Sequence, residues 1–262
     1  MRRLRRLVQK RSLRWSEGVC VLEGPDLVDA ALESGVEFEA VYFDASAALT
    51  SSMEQLTQKA QHHGVRVFAL APGVIERIAD AQTPQPVLAA VRFDDRGVDS
   101  IPKTGLILVL HDLKDPGNVG TIIRSADAAG VTAVIVTGQS VDPYNPKTLR
   151  ASAGSIFHLP VVVASLDDTL AHFGSDTQVL ATVVRGGREH RAVDFTLTSV
   201  VVIGNESDGL DPATIARCGE TISIAMDGRS ESLNAGVAAS LIAFEALWQR
   251  RDAAVTPPPR SL

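Results

Sequence analysis

The apolar positions of this chain fall into two series. In the first, Val19–Leu22, Ala40–Phe43, Val65–Leu70 and Val87–Val91 are strand-sized runs bounded by turn residues. Asp26–Ser34 and Met53–His62 carry helical spacing between them, and Pro72–Asp80 reads as a short further helix. From Arg92 to Thr104 the pattern dissolves into Asp, Gly, Pro and Lys, which marks a linker. The second series is more continuous. Leu106–Leu110, Val131–Thr137, Val179–Val184, Val200–Ile203 and Thr221–Ala225 are unbroken apolar runs of the kind found inside parallel sheets. Helical segments at 119–129 and 166–173 lie between them. A final helix opens at Ser232-Leu233-Asn234, with Leu233, Val237, Leu241, Phe244 and Trp248 on one face. The pattern predicts an α/β protein: a small N-terminal α/β domain over residues 1–91, a linker at 92–104, and a doubly wound parallel-sheet domain over 105–252. Residues 253–262, with three consecutive prolines, read as a disordered tail.

Composition narrows the class. The chain has 262 residues, 45% of them hydrophobic, which is ample for two modest cores. No apolar run reaches the roughly 18–20 residues of a membrane span. The basic N-terminus lacks the apolar stretch of a secretory signal, and two isolated cysteines fit a reducing cytoplasm, which is the expected location. Cys20 and Cys218 offer neither a disulfide framework nor metal-ligand spacing. His62-His63 stands at a helix end with no cluster of ligands around it, so no metal is expected. A net charge of −6 argues against indiscriminate nucleic-acid binding. Its distribution says more. Arg2, Arg3, Arg5, Arg6, Lys10, Arg11 and Arg14 all precede the first acid, Glu17, while Leu4, Leu7 and Val8 form a short apolar stripe. This predicts an amphipathic helix with a basic face.

The common nucleotide sites are missing. No G-x-G-x-x-G follows the first strand of the second domain, and Leu210 stands where a phosphate-binding loop after Gly204 would need Lys. No G-x-S-x-G elbow occurs. What remains are three polar junctions. Asp115-Pro116-Gly117 is a turn signal, and Asn118 reads as a helix N-cap. Val119, Ile122, Ile123 and Ala126 then share one face, with Arg124 off it. Gly204-Asn-Glu-Ser-Asp-Gly209 follows a buried strand and could be turn chemistry alone. The junction of Thr221–Ala225 with the last helix leaves free backbone groups. These can read a small ligand or serve structure only.

Together, residues 110–130, 201–210 and 224–247 resemble, in order and spacing, the three motifs of the SpoU-type RNA 2′-O-ribose methyltransferases. That family belongs to the SPOUT superfamily, and residues 1–90 resemble the substrate-binding domain often fused in front of it. The resemblance implies an S-adenosylmethionine-dependent enzyme, a deep trefoil knot and a homodimer built on the last helix. Residue by residue, it implies catalytic roles for Asn118, Arg124, Glu206, Ser232 and Asn234. The methyl donor would lie against the backbone of Gly204, Ile224 and Leu233, with Thr182 and Met226 as walls. RNA contacts would fall to Arg2, Arg3, Arg5, Arg6, Arg11, Arg14 and Arg150. The family often has Pro where this chain has Ala225, which implies a softer loop. An arginine is a poor general base because its pKa exceeds about 12. An electrostatic role for Arg124 is therefore favoured over the family's base assignment. Glu206 is expected either to orient Asn118 or Arg124 or to accept a proton. The expected substrate is structured RNA, large-subunit (23S) ribosomal RNA first and transfer RNA second. The alternative is an RNA-binding protein of the same fold without turnover.

Overall fold

The computed structural model describes residues 1–46, 51–175 and 177–255, so only the start of the expected tail is covered. The chain forms two compact units. One comprises Met1–Asp95 with Asp142–His158, and the other comprises Arg96–Val141 with the chain from Leu159 on.

In the first unit, α1 (Arg2–Gln9) and α2 (Arg11–Glu17) lead into β1 (Val19–Glu23), followed by α3 (Pro25–Ser34), β2 (Phe38–Asp44), α4 (Ser51–His62), β3 (Val67–Leu70) and β4 (Val87–Arg92). The sheet order is β1-β4-β2-β3, with β4 antiparallel to both neighbours and β2 parallel to β3. Leu4, Leu7 and Val8 of α1 are buried against Val19, Val21, Leu88 and Ala90. The apolar stripe read from sequence is therefore the docking face of α1, and Arg2, Arg5 and Arg6 point to solvent. Pro72–Asp80 is not a helix. Gly73 takes φ +79, and the segment closes with turn bonds such as Val74 N–H to Ala71 O and Arg77 N–H to Val74 O. The left-handed glycine interrupts the helix that the spacing of Val74, Ile75 and Ile78 suggests.

The second unit runs β5 (Leu106–His111), α5 (Pro116–Ala128) and β6 (Ala133–Thr137). The chain then enters the first unit through α6 (Pro146–Ser152) and returns as β7 (Val161–Val163) and α7 (Leu166–Phe173). It continues with β8 (Gln178–Thr182), β9 (Arg188–Glu189), β10 (Ser199–Ile203), α8 (Pro212–Ala216), β11 (Glu220–Ser223) and α9 (Ala235–Val255). The sheet has seven strands in the order β7-β6-β5-β10-β8-β11-β9, and every pairing is parallel. The central strands β5 and β10 are buried almost throughout, as continuous Val/Ile/Leu runs require. Ala253–Val255 are the last turn of α9, not tail, and residues 256–262 lie outside the described chain.

Helix α9 corrects the expected apolar stripe. Val237, Leu241 and Trp248 are 47%, 41% and 54% exposed. The buried positions are Ala235, Ala239, Ile242, Ala243 and Ala246. Gly236 sits so close to α5 that a Cβ there would lie 3.3 Å from Thr121 Cγ2. The small residues are buried within the chain, where Gly236 and Ser240 meet Thr121 and Ser125 of α5, and the large apolar residues lie on the outer face.

Arg14 also departs from expectation. It is 2% exposed, and its Nε and Nη2 donate to Asp142 Oδ2 at 2.8 and 2.5 Å. Its Nη1 donates to the carbonyls of Leu7 and Val8. Asp142 Oδ1 accepts in addition from Trp15 Nε1 and Tyr144 N–H. A guanidinium with its donors spent on protein acceptors cannot hold an RNA phosphate, so Arg14 is withdrawn from the RNA-binding set.

Among the described residues no helix is long and apolar enough to cross a membrane, and no group of three His, Cys, Asp or Glu could hold a metal ion.

Candidate active site

The C-terminal ends of β8, β10 and β11, where open parallel sheets place their ligand crevices, border a cleft of about 270 Å³. Its floor and walls include Thr182, Gly204, Ile224, Met226, Leu233 and Ile242. All five positions expected to hold the methyl donor thus line one cavity. Glu206 and Ser232 of the expected catalytic set also line it.

The loop after β10 is built by its own hydrogen bonds. Asn205 and Gly209 exchange backbone bonds, and Asn205 Oδ1 accepts from the N–H of Ser207. Asn205 does more than turn the chain, because its Nδ2 donates to Asp112 O at 2.9 Å and ties this loop to the end of β5. Gly204 is needed for a reason internal to the protein. A Cβ there would lie 2.4 Å from Gly209 C and 2.5 Å from Leu210 N, closer than any packed side chain. Gly204→Ala should therefore displace the loop that carries Glu206. We expect binding of S-adenosylhomocysteine to weaken at least tenfold by calorimetry, and unchanged affinity would contradict this reading.

Three distant segments meet in one hydrogen-bonded chain. Asn234 Oδ1 caps α9 by accepting from Gly236 and Val237 N–H. Its Nδ2 must then face Asn118 Oδ1, which it does at 2.8 Å. This leaves Asn118 Nδ2 to donate to Glu206 Oε1 at 2.9 Å. Both ends dictate the same amide orientation, since a carboxylate only accepts. The backbone N–H groups of Lys114 and Asp115 complete the shell of Glu206, each at 3.2 Å. Asn118 is buried within α5, whose N-cap is Asp115, with Oδ1 accepting from Gly117 N–H. The N-cap expected at Asn118 lies three residues earlier, which frees the Asn118 amide for the network.

Partial burial works to raise the Glu206 pKa. The hydrogen bonds from Asn118 and from backbone N–H groups of the loop, Lys114 and Asp115 outweigh it, and the carboxyl is held below its ordinary range. A carboxylate stabilised as the anion orients better than it accepts a proton. The stability it contributes is present above the unfolded pKa of about 4.3 and is lost as pH falls through the folded value. Urea midpoints should therefore fall more steeply below about pH 4 in the wild type than in Glu206→Gln, and parallel curves would exclude this role.

Arg124 is exposed on α5 and makes no hydrogen bond or ion pair with the described residues. It neither lines the cleft nor joins the network. Ser232 is exposed at the cleft, with its carbonyl accepting from Ser230 Oγ. The RNA-binding candidates all lie in the first unit. There Arg3 is paired with Glu17 and Glu39, Arg11 is exposed, and Arg150 Nη1 donates to Glu23 at 2.7 Å. One site residue escaped sequence reasoning. Asp112 holds φ +59, its carbonyl accepts from Asn205, and its Oδ1 accepts from Gln139 N–H. Asp tolerates that conformation, but nothing in His111-Asp112-Leu113 sets it apart from an ordinary strand end.

The SpoU rRNA Methylase family matches residues 105–244, and the MRM3-like substrate binding domain matches residues 1–89. The 23S rRNA (uridine(2479)-2′-O)-methyltransferase of Streptomyces viridochromogenes is 32% identical over 93% of this chain and 88% of its own. The 23S rRNA (guanosine(2553)-2′-O)-methyltransferase RlmP of Bacillus subtilis is 28% identical over 86% of each chain. Among solved structures, the SpoU methyltransferase AviRb from S. viridochromogenes in complex with the cofactor AdoMet superposes with a TM-score of 0.85 at 30% identity, covering 95% of this chain and 97% of that one.

Proposed function

The chain belongs to the SpoU rRNA methylase family, and from that premise we propose that it transfers a methyl group from S-adenosylmethionine to a ribose 2′-hydroxyl of 23S ribosomal RNA. The single observation that carries the reading is the hydrogen-bonded chain Asn234–Asn118–Glu206 at the edge of the donor cleft. It joins all three polar junctions of the sequence at one place. The residues present fit the donor: Ile224, Met226, Leu233 and Ile242 give an apolar wall, and the strand ends offer backbone polar groups.

S-adenosylmethionine supplies an electrophilic methyl on a sulfonium. The 2′-oxygen bonds to that carbon as the carbon–sulfur bond breaks, and the hydroxyl proton leaves to water. Arg124 holds a phosphate beside the target ribose and stabilises the oxygen as negative charge develops on it. Its unpaired guanidinium supports that role. Glu206, ionised by its surroundings, fixes Asn118, and Asn118 and Asn234 fix the start of α9, where Ser232 and Leu233 meet the donor.

The rest of the reading extends the same premise. Residues 1–95 with 142–158 bind RNA, and 96–141 with 159–255 carry the chemistry on a chain threaded as a trefoil knot. The exposed arginines Arg2, Arg5 and Arg6 support phosphate contact by α1, with Arg3 and Arg11 beside them. The exposed stripe Val237, Leu241 and Trp248 supports a homodimer through α9 better than the small residues do. A cytoplasmic setting accords with ribosomal substrate and two free thiols. Labelled donor incubated with total RNA tests the proposal. Label should enter large-subunit RNA. Label in transfer RNA would favour that substrate instead, and RNA binding without label would favour a protein that has lost turnover.

A further inference from the structure

The mouth of the donor cleft is formed by two loops that each carry an exposed arginine. Arg185 follows Val183 and Val184, which line the cleft beyond β8. Arg229 stands between Met226 and Ser232, which line it beyond β11. Like Arg124, neither makes a hydrogen bond or ion pair with any described residue. Other arginines of this unit are engaged: Arg188 with Glu220, Arg217 with Asp167, and Arg250 with the carbonyls of Phe195 and Leu197. Arg251, near the end of α9, is likewise without a partner among the described residues, but Arg185 and Arg229 are carried by loops whose neighbouring residues line the cleft.

The backbone that presents Arg185 is fixed although its side chain is not. Gly186 takes φ +81. A Cβ on Gly187 would lie 2.7–2.9 Å from the backbone of Ile222, and Ser223 Oγ donates to Gly187 O at 3.0 Å. Only glycine permits that approach. The loop is thus pinned against β11 two residues beyond Arg185. In the loop of Arg229, Ser230 Oγ donates to Ser232 O at 2.8 Å. Asp208, Asp227 and Glu231 stand around the same mouth yet pair with neither arginine. The mouth is therefore no bulk basic patch that would attract any polyanion. It offers discrete forks for individual anionic groups.

We propose that Arg185 and Arg229 each bind a backbone phosphate of the RNA strand flanking the target ribose, so that the cleft mouth reads the strand on both sides of the reacting nucleotide. The proposal rests on the RNA methyltransferase reading. A guanidinium at a phosphate gives a bidentate, charge-assisted contact that displaces counterions, and each such contact steepens the salt dependence of binding. The same chemistry could instead engage the carboxylate of the methyl donor, and the experiment separates the two.

The test measures affinity for a 23S rRNA transcript against salt concentration, together with S-adenosylhomocysteine affinity by calorimetry. Arg185→Ala and Arg229→Ala should each flatten the logarithmic salt slope by roughly 0.7–0.9, and the double variant by roughly twice as much. Arg185→Lys should retain the slope and lose part of the affinity. S-adenosylhomocysteine should bind all variants within twofold of wild type, which also reports that they fold. Lys103→Ala, which removes an exposed charge beside β7 at the far edge of the sheet, should leave the slope unchanged. A slope that survives both alanine substitutions in active enzyme would overturn the proposal. So would a loss of S-adenosylhomocysteine affinity at an unchanged slope, which would assign the anion to the donor. Wild-type protein that binds RNA but transfers no methyl would instead contradict the methyltransferase reading itself.

Discussion

Arg124→Ala should lower single-turnover methyl transfer by a factor of a hundred to a thousand while leaving S-adenosylhomocysteine affinity within twofold. Removing one charged contact to a developing oxyanion costs on the order of 3 kcal/mol. The separation of the two effects follows from the geometry. Arg124 stands on the solvent face of α5, outside the residues that line the cleft proposed for the donor, so on that proposal its loss removes nothing the donor touches. Arg124→Lys should be nearly as poor, because an ammonium cannot reproduce a bidentate guanidinium contact with phosphate. Turnover near the wild-type rate would exclude the electrostatic role. Activity in the lysine variant with a pH dependence displaced toward the lysine pKa would point to a proton-accepting role instead.

A change far from the cleft should have the largest effect on stability. Arg14→Ala leaves Asp142 buried without its cation, and loss of one partner of a buried pair costs about 3–5 kcal/mol. Asp142→Ala should cost a similar amount, because it strands a guanidinium that is 3% exposed. Replacing both residues by apolar ones of similar volume should recover much of the loss, since the pair's own net contribution is small once desolvation is counted. Urea unfolding of the two single variants and the double variant measures all three. Single variants within about 1 kcal/mol of wild type would show that water or a neighbour satisfies the survivor.

The contrast between these two arginines marks where sequence reading works. Arg124 was legible because its neighbours Val119, Ile122, Ile123 and Ala126 define a helical face that excludes it, and all four are buried. Arg14 was not. In sequence it extends a run of exposed basic residues, and the residue that buries it lies 128 positions away. No local pattern encodes that partner, nor the inclusion of residues 142–158 in the first unit. Continuous strands such as Leu106–His111 and Ser199–Ile203 were legible because a parallel sheet covers both of their faces. β7 and β9, three and two residues long, are too short for any period to register. α9 misled because alanine carries little hydrophobic signal. Its larger residues drew the expected stripe, while Ala239, Ala243 and Ala246 made the packed face. In sequence, Asn118, Glu206 and Asn234 read as separate candidates. That they form one relay is a property of the fold, because two of its links span 88 and 116 positions.

The most direct test of the account uses the chemistry of the product. A methyl on the 2′-oxygen removes the nucleophile on which alkaline cleavage of RNA depends. Purified protein, labelled S-adenosylmethionine and a 23S rRNA transcript should yield label in an alkali-resistant dinucleotide that digests to a 2′-O-methylnucleoside, at a rate that collapses in Arg124→Ala. Label recovered in base-methylated nucleosides, or no label above that of the variant, would contradict it.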